Sequence, residues 1–320
     1  MSKDIRIKKG LNINLVGEAD LTTSNISVKG VFALKPENFH GIIPKLIAKE
    51  GTEVKAGESL FYSKSDDRIL FSSPVSGKVS EIVRGAKRKI VSIKISADGK
   101  QNFKNFGKQD VDTMSAEEIK NHFLNAGCWP FIKQRPFDII ANPNQSPKAI
   151  FISAYASSPL AAEYDYTLEG KEKELQAAIS AISKLTSGKV HVSVGKDSNS
   201  PFSNLSNLEL HKVSGPHPVG NVSTQISHID PMNKGEVVWV INPQDLLVIG
   251  DLLLTGKFNI TRTLALTGSQ FDKPSYVSVV AGASISAIVD NNINLENKSF
   301  SRTRSRIFTE RNRFYPTSRI

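Results

Sequence analysis

The chain has 320 residues, 39% hydrophobic and 22% charged, which excludes a mainly disordered protein and leaves room for two or three domains of roughly 100–200 residues. Its formal net charge is +10, but residues 299–320 hold six arginines against one glutamate and so carry half of it. The +5 left on the body is a weak footprint for nucleic acid and suits a protein beside an anionic membrane surface or an acidic partner. No apolar run approaches the ~18 residues of a membrane span; the densest are 237–241 and 252–254. Residues 1–9 alternate charge with isoleucine and lack the apolar centre of a secretory signal, so a cytoplasmic compartment is expected. The single cysteine, Cys128, excludes an intrachain disulfide and any multi-cysteine zinc or iron-sulfur site built by this chain alone.

Residues 26–96 read as short strands punctuated by glycine, in two similar halves at 43–60 and 73–95. Val91, Ile93 and Ile95 alternate with polar residues, as a half-buried strand requires, and Gly51, Gly57, Gly77 and Gly85 fall where turns are needed. The two halves resemble the half-motifs of biotinyl and lipoyl carrier domains. Carriers need a modifiable lysine at the hairpin tip; here the tip is expected near Asp66 and Asp67, with Lys64 displaced from it. A barrel-sandwich scaffold used for docking is the expectation, rather than a swinging arm.

From Ser115 the period changes. Ser115 with Glu118 makes a capping box, Ile119, Phe123 and Ala126 share one face, and Gly127 stops the helix. An aromatic and proline-rich bend follows, through Cys128, Trp129, Pro130 and Phe131 to Arg135, Pro136 and Phe137. From Lys148 strands and helices alternate: strands at 149–154, 189–194, 208–213, 236–241 and 262–266, and helices at 171–186 and 243–254, the latter opened by Pro243 and closed by Gly256. That alternation predicts a mostly parallel sheet with helices on its faces. The resulting domains are 1–100 (β module with an N-terminal extension), 101–147 (helical and loop linker), 148–257 (α/β), 258–298 (a partial β module) and 299–320 (a basic tail).

A dinucleotide site needs a glycine-rich turn between the first strand and its helix. The turn here, 155–160, has no glycine, and G-x-G-x-x-G is absent, so nicotinamide or flavin binding by that route is disfavoured. The most distinctive segment is Ser214-Gly215-Pro216-His217-Pro218, where two prolines restrict the backbone on either side of His217. A histidine held so firmly could donate to a quinone or touch a partner; it could equally fill a hydrogen-bonded corner. The other histidines (40, 122, 191, 211 and 228) show no i, i+3 or i, i+4 pair, so no metal site is expected. Cys128 reads as a buried inert thiol, and without a G-x-S-x-G elbow no independent catalysis is expected.

In this order the elements resemble the NqrA family, a subunit type of the sodium-translocating NADH:quinone reductase. The carrying segments are Ile5-Arg6-Ile7-Lys8-Lys9-Gly10-Leu11, Pro74-Val75-Ser76-Gly77-Lys78-Val79, Arg84-Gly85-Ala86-Lys87-Arg88, Arg135-Pro136-Phe137, Ser214-Gly215-Pro216-His217-Pro218, and residues 239–250. The resemblance implies a multidomain α/β plus all-β protein: a biotinyl/lipoyl-like barrel-sandwich module, a Rossmann-like parallel-sheet domain without a nucleotide motif, and a partial β-grasp (SLBB-like) module beginning near Thr261. It implies a peripheral protein on the cytoplasmic side of a six-subunit bacterial inner-membrane complex that passes electrons from NADH to ubiquinone or menaquinone and exports sodium. Flavins and iron-sulfur clusters would sit on partner subunits, none on this chain, and His217 is the candidate quinone or partner contact. More distant relatives, the RnfC protein of the Rnf electron-transport complex and the flavoprotein of complex I, bind flavin and NADH through a glycine-rich loop. At that place this chain has Asn125-Ala126-Gly127-Cys128-Trp129-Pro130. A soluble flavin- or NADH-binding flavoprotein of that type is the alternative function. After about Asn297 the sequence departs from the family pattern, and its arginines among polar residues predict a disordered tail, by truncation or frameshift or as an authentic anchor.

Overall fold

A computed structural model describes residues 2–289 and residue 292. Two sheets face each other in the small β module. One has the order Val31–Leu34, Ile90–Ala97, Gly77–Arg84, Glu53–Val54; the other runs Pro44–Leu46, Ser59–Ser63, Asp66–Ser72. Alternate side chains of both fill the space between them, Phe32, Leu34, Val79, Ile93 and Ile95 from the first and Phe61 and Phe71 from the second, the last two stacked at 4.4 Å. The register shifts at several points, one of which falls in the strand read from Val91, Ile93 and Ile95. A bulge beside Arg84 makes Val91 the extra residue, so Ile90 is buried and Val91 is only half-buried. The hairpin tip also differs from the expected position: the turn is Lys64 and Ser65, and Asp66 already pairs with Ser63. Lys64 therefore stands exposed at the tip. The tip end of that hairpin is braced, because Arg68 pairs with Asp66 and donates to Asn144 Oδ1 at 2.9 Å.

Helix Ala116–Ala126 begins on the expected capping box and ends at Gly127 in the left-handed conformation. The α/β domain that follows is built on a seven-stranded sheet with the order Asp4–Arg6, Glu209–Ser214, Val190–Gly195, Ile150–Ala154, Val238–Val240, Lys133–Arg135, Ile139–Ile140. The first five strands are parallel, and Lys133–Arg135 pairs antiparallel with its neighbour on either side. The boundaries expected from the sequence do not follow this sheet. Residues 4–6 belong to its edge rather than to the β module, and two strands of the expected 101–147 linker extend its other edge. Lys133-Gln134-Arg135 carries no apolar alternation, so nothing local marks it as a strand.

The central strand divides its side chains between two cores: Ile150, Ile152 and Ala154 join helices Glu172–Ser183 and Pro243–Thr255, while Phe151 joins Ile5, Val213, Ile226, Ile229 and Val238 on the opposite face. The two helices of the first face touch backbone to backbone, since a Cβ on Gly250 would lie 2.0 Å from the Glu174 carbonyl oxygen. Helix Val222–Ile229, which covers the second face, is masked in the sequence by its β-branched composition. A three-stranded sheet, Thr261–Leu266, Ser275–Val280 and Asp20–Asn25, completes the described fold with helix Ile285–Val289. Of the 258–298 module only residues 258–289 and residue 292 are described, and the 299–320 tail lies outside the described residues.

Candidate functional site

The chain leaves strand Ile150–Ala154 towards Val190–Gly195 on one side, and later returns to place Val238–Val240 on the other. In a parallel sheet such a reversal leaves a crevice beyond the carboxyl ends of the two diverging strands. A cavity of about 430 Å³ opens there. Its walls come from every unit of the fold: Phe39 from the β module, Lys133 and Arg135 from the antiparallel edge, residues 155–158 and 220–221 from the loops after the strands, Val222 and Ser223 from the start of helix Val222–Ile229, and Ile260, Arg262 and Ala281 from the three-stranded region.

Helix Pro243–Thr255 starts at the cavity. Its Asn242 cap accepts from Gln244 N at 2.9 Å and donates through Nδ2 to Tyr164 Oη at 2.9 Å. Gln244 pairs its amide with both backbone groups of Thr263, which ties this helix to the three-stranded sheet. Arg262 bonds the Gln244 carbonyl and the Asp245 carboxylate and lies over the Phe131 ring at 5.5 Å. Burial raises the Asp245 carboxyl above the usual carboxylate range, and Arg262 opposes that rise.

His217 sits on the opposite rim, half-buried and lining the cavity. Its backbone is pinned by the N-terminal segment, since His217 N donates to Asn12 Oδ1 at 3.0 Å and Leu11 N donates to the His217 carbonyl at 3.1 Å. Gly10 is required beneath it, because a Cβ there would stand 2.0 Å from that carbonyl oxygen. The ring meets Ser157 Oγ at 3.0 Å through Nδ1. His217 is thus both a fixed corner and a wall of the crevice.

The turn that begins at Tyr155 lines the cavity and packs against the loop at Gly220. Gly220 lies on it so closely that a Cβ would come 2.5 Å from Ser157 N, and Gly220 N donates to Ser157 Oγ at 2.8 Å. Residues 126–130 are a helix end and a tight turn packed into the core, with Asn125 exposed beside them and Trp129 fully buried, its indole N–H on the Ala141 carbonyl at 2.7 Å. Cys128 is fully buried, and burial pushes its thiol far above the range in which a thiolate forms.

Two family profiles match the chain: the NqrA N-terminal barrel-sandwich hybrid domain over residues 5–98 and the NqrA second alpha/beta domain over residues 114–258. The NqrA protein of the Na(+)-translocating NADH-quinone reductase of Histophilus somni (strain 2336) is 32% identical over 300 residues, which is 93% of this chain and 67% of that protein. The chain belongs to the NqrA family. The corresponding protein of Neisseria meningitidis serogroup A is 35% identical over 286 residues, 89% of this chain, and that of Pasteurella multocida 31% over 291 residues, 90% of this chain. The chain spans 64% of the length of the Neisseria relative. As in the family, a barrel-sandwich hybrid domain precedes an α/β domain, and the second profile begins at residue 114, so it takes in the helix and strands of the expected linker.

One grouping in this NqrA-family fold has no signal in the sequence. His191 and His211 stand on neighbouring parallel strands, two register positions apart, and their rings meet at 3.0 Å, Nδ1 to Nε2. With Glu209 their ligand atoms lie within 4.8 Å of one another, so spacing along the chain is no guide to proximity across strands. Lys3 N donates to His211 Nδ1 at 3.0 Å, which leaves the His211 proton on Nε2, pointing at His191. Both inward lone pairs are therefore already used, and a cation there would have to displace Lys3. His40 and His228 are exposed, and His122 stands apart from the crevice walls.

Proposed function

We propose that this chain serves as the NqrA component of a sodium-pumping NADH:quinone oxidoreductase, a peripheral protein on the cytoplasmic side of the membrane that supports electron transfer from NADH to quinone coupled to sodium export. The observation that carries this reading is the similarity along about nine-tenths of the chain to proteins named as that component. No helix among the described residues is long and apolar enough to cross a membrane, in keeping with attachment through other subunits. Flavins and iron-sulfur clusters then sit on those partners. The α/β domain is read as a Rossmann-like unit whose glycine-free turn at 155–160 packs against Gly220 and whose glycine-rich loop is replaced by the core around Trp129, and the three-stranded region as part of a β-grasp module. The crevice takes a quinone headgroup, with His217 as the donor to a carbonyl oxygen and Phe39, Phe131 and Ile260 as apolar walls.

Co-expression with the other subunits tests the assignment: this chain should co-purify with them, and its absence from the assembled complex would count against it. FMN and NADH titrations of the purified chain address the flavoprotein alternative. The expected result is a colourless protein with no saturable binding, whereas micromolar flavin affinity would favour the alternative.

A further inference from the structure

We propose that Ser157 is the positioning residue of the crevice: its hydroxyl holds His217 as the Nε2–H tautomer, so that the crevice receives a ligand presenting a carbonyl oxygen at that nitrogen. The ligand class rests on the quinone reading above; the role of Ser157 rests on hydrogen-bond bookkeeping alone. The chain of donors starts at Gln225, a buried residue whose Nε2 donates to the Val219 carbonyl at 3.1 Å and to Ser153 Oγ at 2.8 Å. Ser153 Oγ in turn donates to the Gly220 carbonyl at 2.9 Å, and Gly220 N donates to Ser157 Oγ at 2.8 Å. A backbone N–H can only donate, so one lone pair of Ser157 Oγ is committed and its single proton is free to be given away. Among the described residues the acceptor in reach is His217 Nδ1 at 3.0 Å. A neutral His217 that accepts at Nδ1 carries its proton on Nε2.

Nothing in the described fold uses that second nitrogen. The His217 contacts are Ser157 at Nδ1 and the N-terminal segment at the backbone, and the ring lines the cavity. The donor is thus fixed in orientation before a ligand arrives, which removes part of the ordering cost of binding. Without the hydroxyl, either nitrogen could carry the proton, and the molecules with Nδ1–H would present a lone pair to a carbonyl lone pair.

Long-range 1H–15N correlation spectra of the full chain labelled with 15N-histidine, with His217 assigned by its loss in His217→Gln, read the tautomer directly. Wild type should show an unprotonated Nδ1 and a protonated Nε2. Ser157→Ala should show a mixture, and Ser157→Thr, which keeps the hydroxyl, should restore the wild-type pattern. A protonated Nδ1 in wild type would overturn the assignment whatever the variants do. Titration with ubiquinone-1 should shift the His217 Nε2 signal, with affinity in Ser157→Ala weakened roughly tenfold. Saturable quinone binding of equal affinity in the two would overturn positioning by Ser157. A wild-type Nε2–H tautomer that becomes a mixture in Ser157→Ala, with no quinone-dependent shift, would instead overturn the quinone reading and support the Ser157 role.

Discussion

At the scale of single residues, two buried groupings have measurable consequences. Burial, and then the neighbouring His191, push His211 from the ordinary 6.5 down to about 4, and burial lowers His191 as well. Neither inward nitrogen can take a proton without opposing Lys3 N–H or the partner ring. Because the native value lies below the unfolded one, stability from this pair is complete above pH 6.5 and is lost as pH falls towards 4, by about 3 kcal/mol for the shift of His211. Thermal melts across that window should show the decline, and His211→Gln, whose amide can accept from Lys3 but does not titrate, should flatten it. The second grouping is Asp245 with Arg262, whose side chains are 21% and 6% exposed. Arg262→Gln strands a largely desolvated carboxylate and should cost about 2–4 kcal/mol in denaturant unfolding. A loss below ~1 kcal/mol would mean that water reaches Asp245 freely.

At the scale of elements, the helix pair over the main core is set by a missing side chain. Gly→Ala in a helix interior normally stabilises by up to about 1 kcal/mol. At Gly250 the added methyl would meet the Glu174 backbone at 2.0 Å, and the two helices must part to admit it. Gly250→Ala should therefore lower the melting temperature, with an overpacking cost of about 1–3 kcal/mol or more outweighing the propensity gain. A rise would show that the helices can slide apart without penalty. The opposite kind of element is helix Ala116–Ala126, whose ends are local. Ser115→Ala removes the side-chain half of its capping box and should cost about 1 kcal/mol, and Ser115→Asp should recover most of it.

At the scale of the whole molecule, the crevice belongs to no single domain. Gln244 of the α/β domain is paired with Thr263, Phe131 is stacked on Phe258 at 6.2 Å, and the edge strand Asp4–Arg6 and the segment pinning His217 come from the N-terminus. Residues 114–258 expressed alone would expose the face of Gln244 and lose an edge of the sheet. Calorimetry should then show a broad transition of low enthalpy for the fragment against a cooperative one for the full chain. A sharp transition of proportionate enthalpy in the fragment would show that the α/β domain folds independently of its neighbours.

Neighbouring residues alone settle whatever repeats locally. The periods of 149–154, 171–186 and 243–254, the cap at Ser115, the stops at Gly127 and Gly256 and the glycine-free turn at 155–160 are all written in short stretches of chain, because burial of one face leaves its mark every two or every three to four positions. They are enough for the α/β domain, the small β module and the family. Sheet order and register leave no such mark. Strands Lys133–Arg135 and Asp20–Asn25 are polar and carry no strand signal, and nothing local announces the edge pairing of residues 4–6 with the strand at 209–214. His217 is legible as a fixed histidine from its flanking prolines, but its partner Ser157 lies 60 residues away and meets it only through the crossing of two loops at Gly220. The meeting of His191 with His211 likewise depends on parallel register. Tertiary structure decides these contacts, because each joins groups whose separation along the chain carries no record of their separation in space.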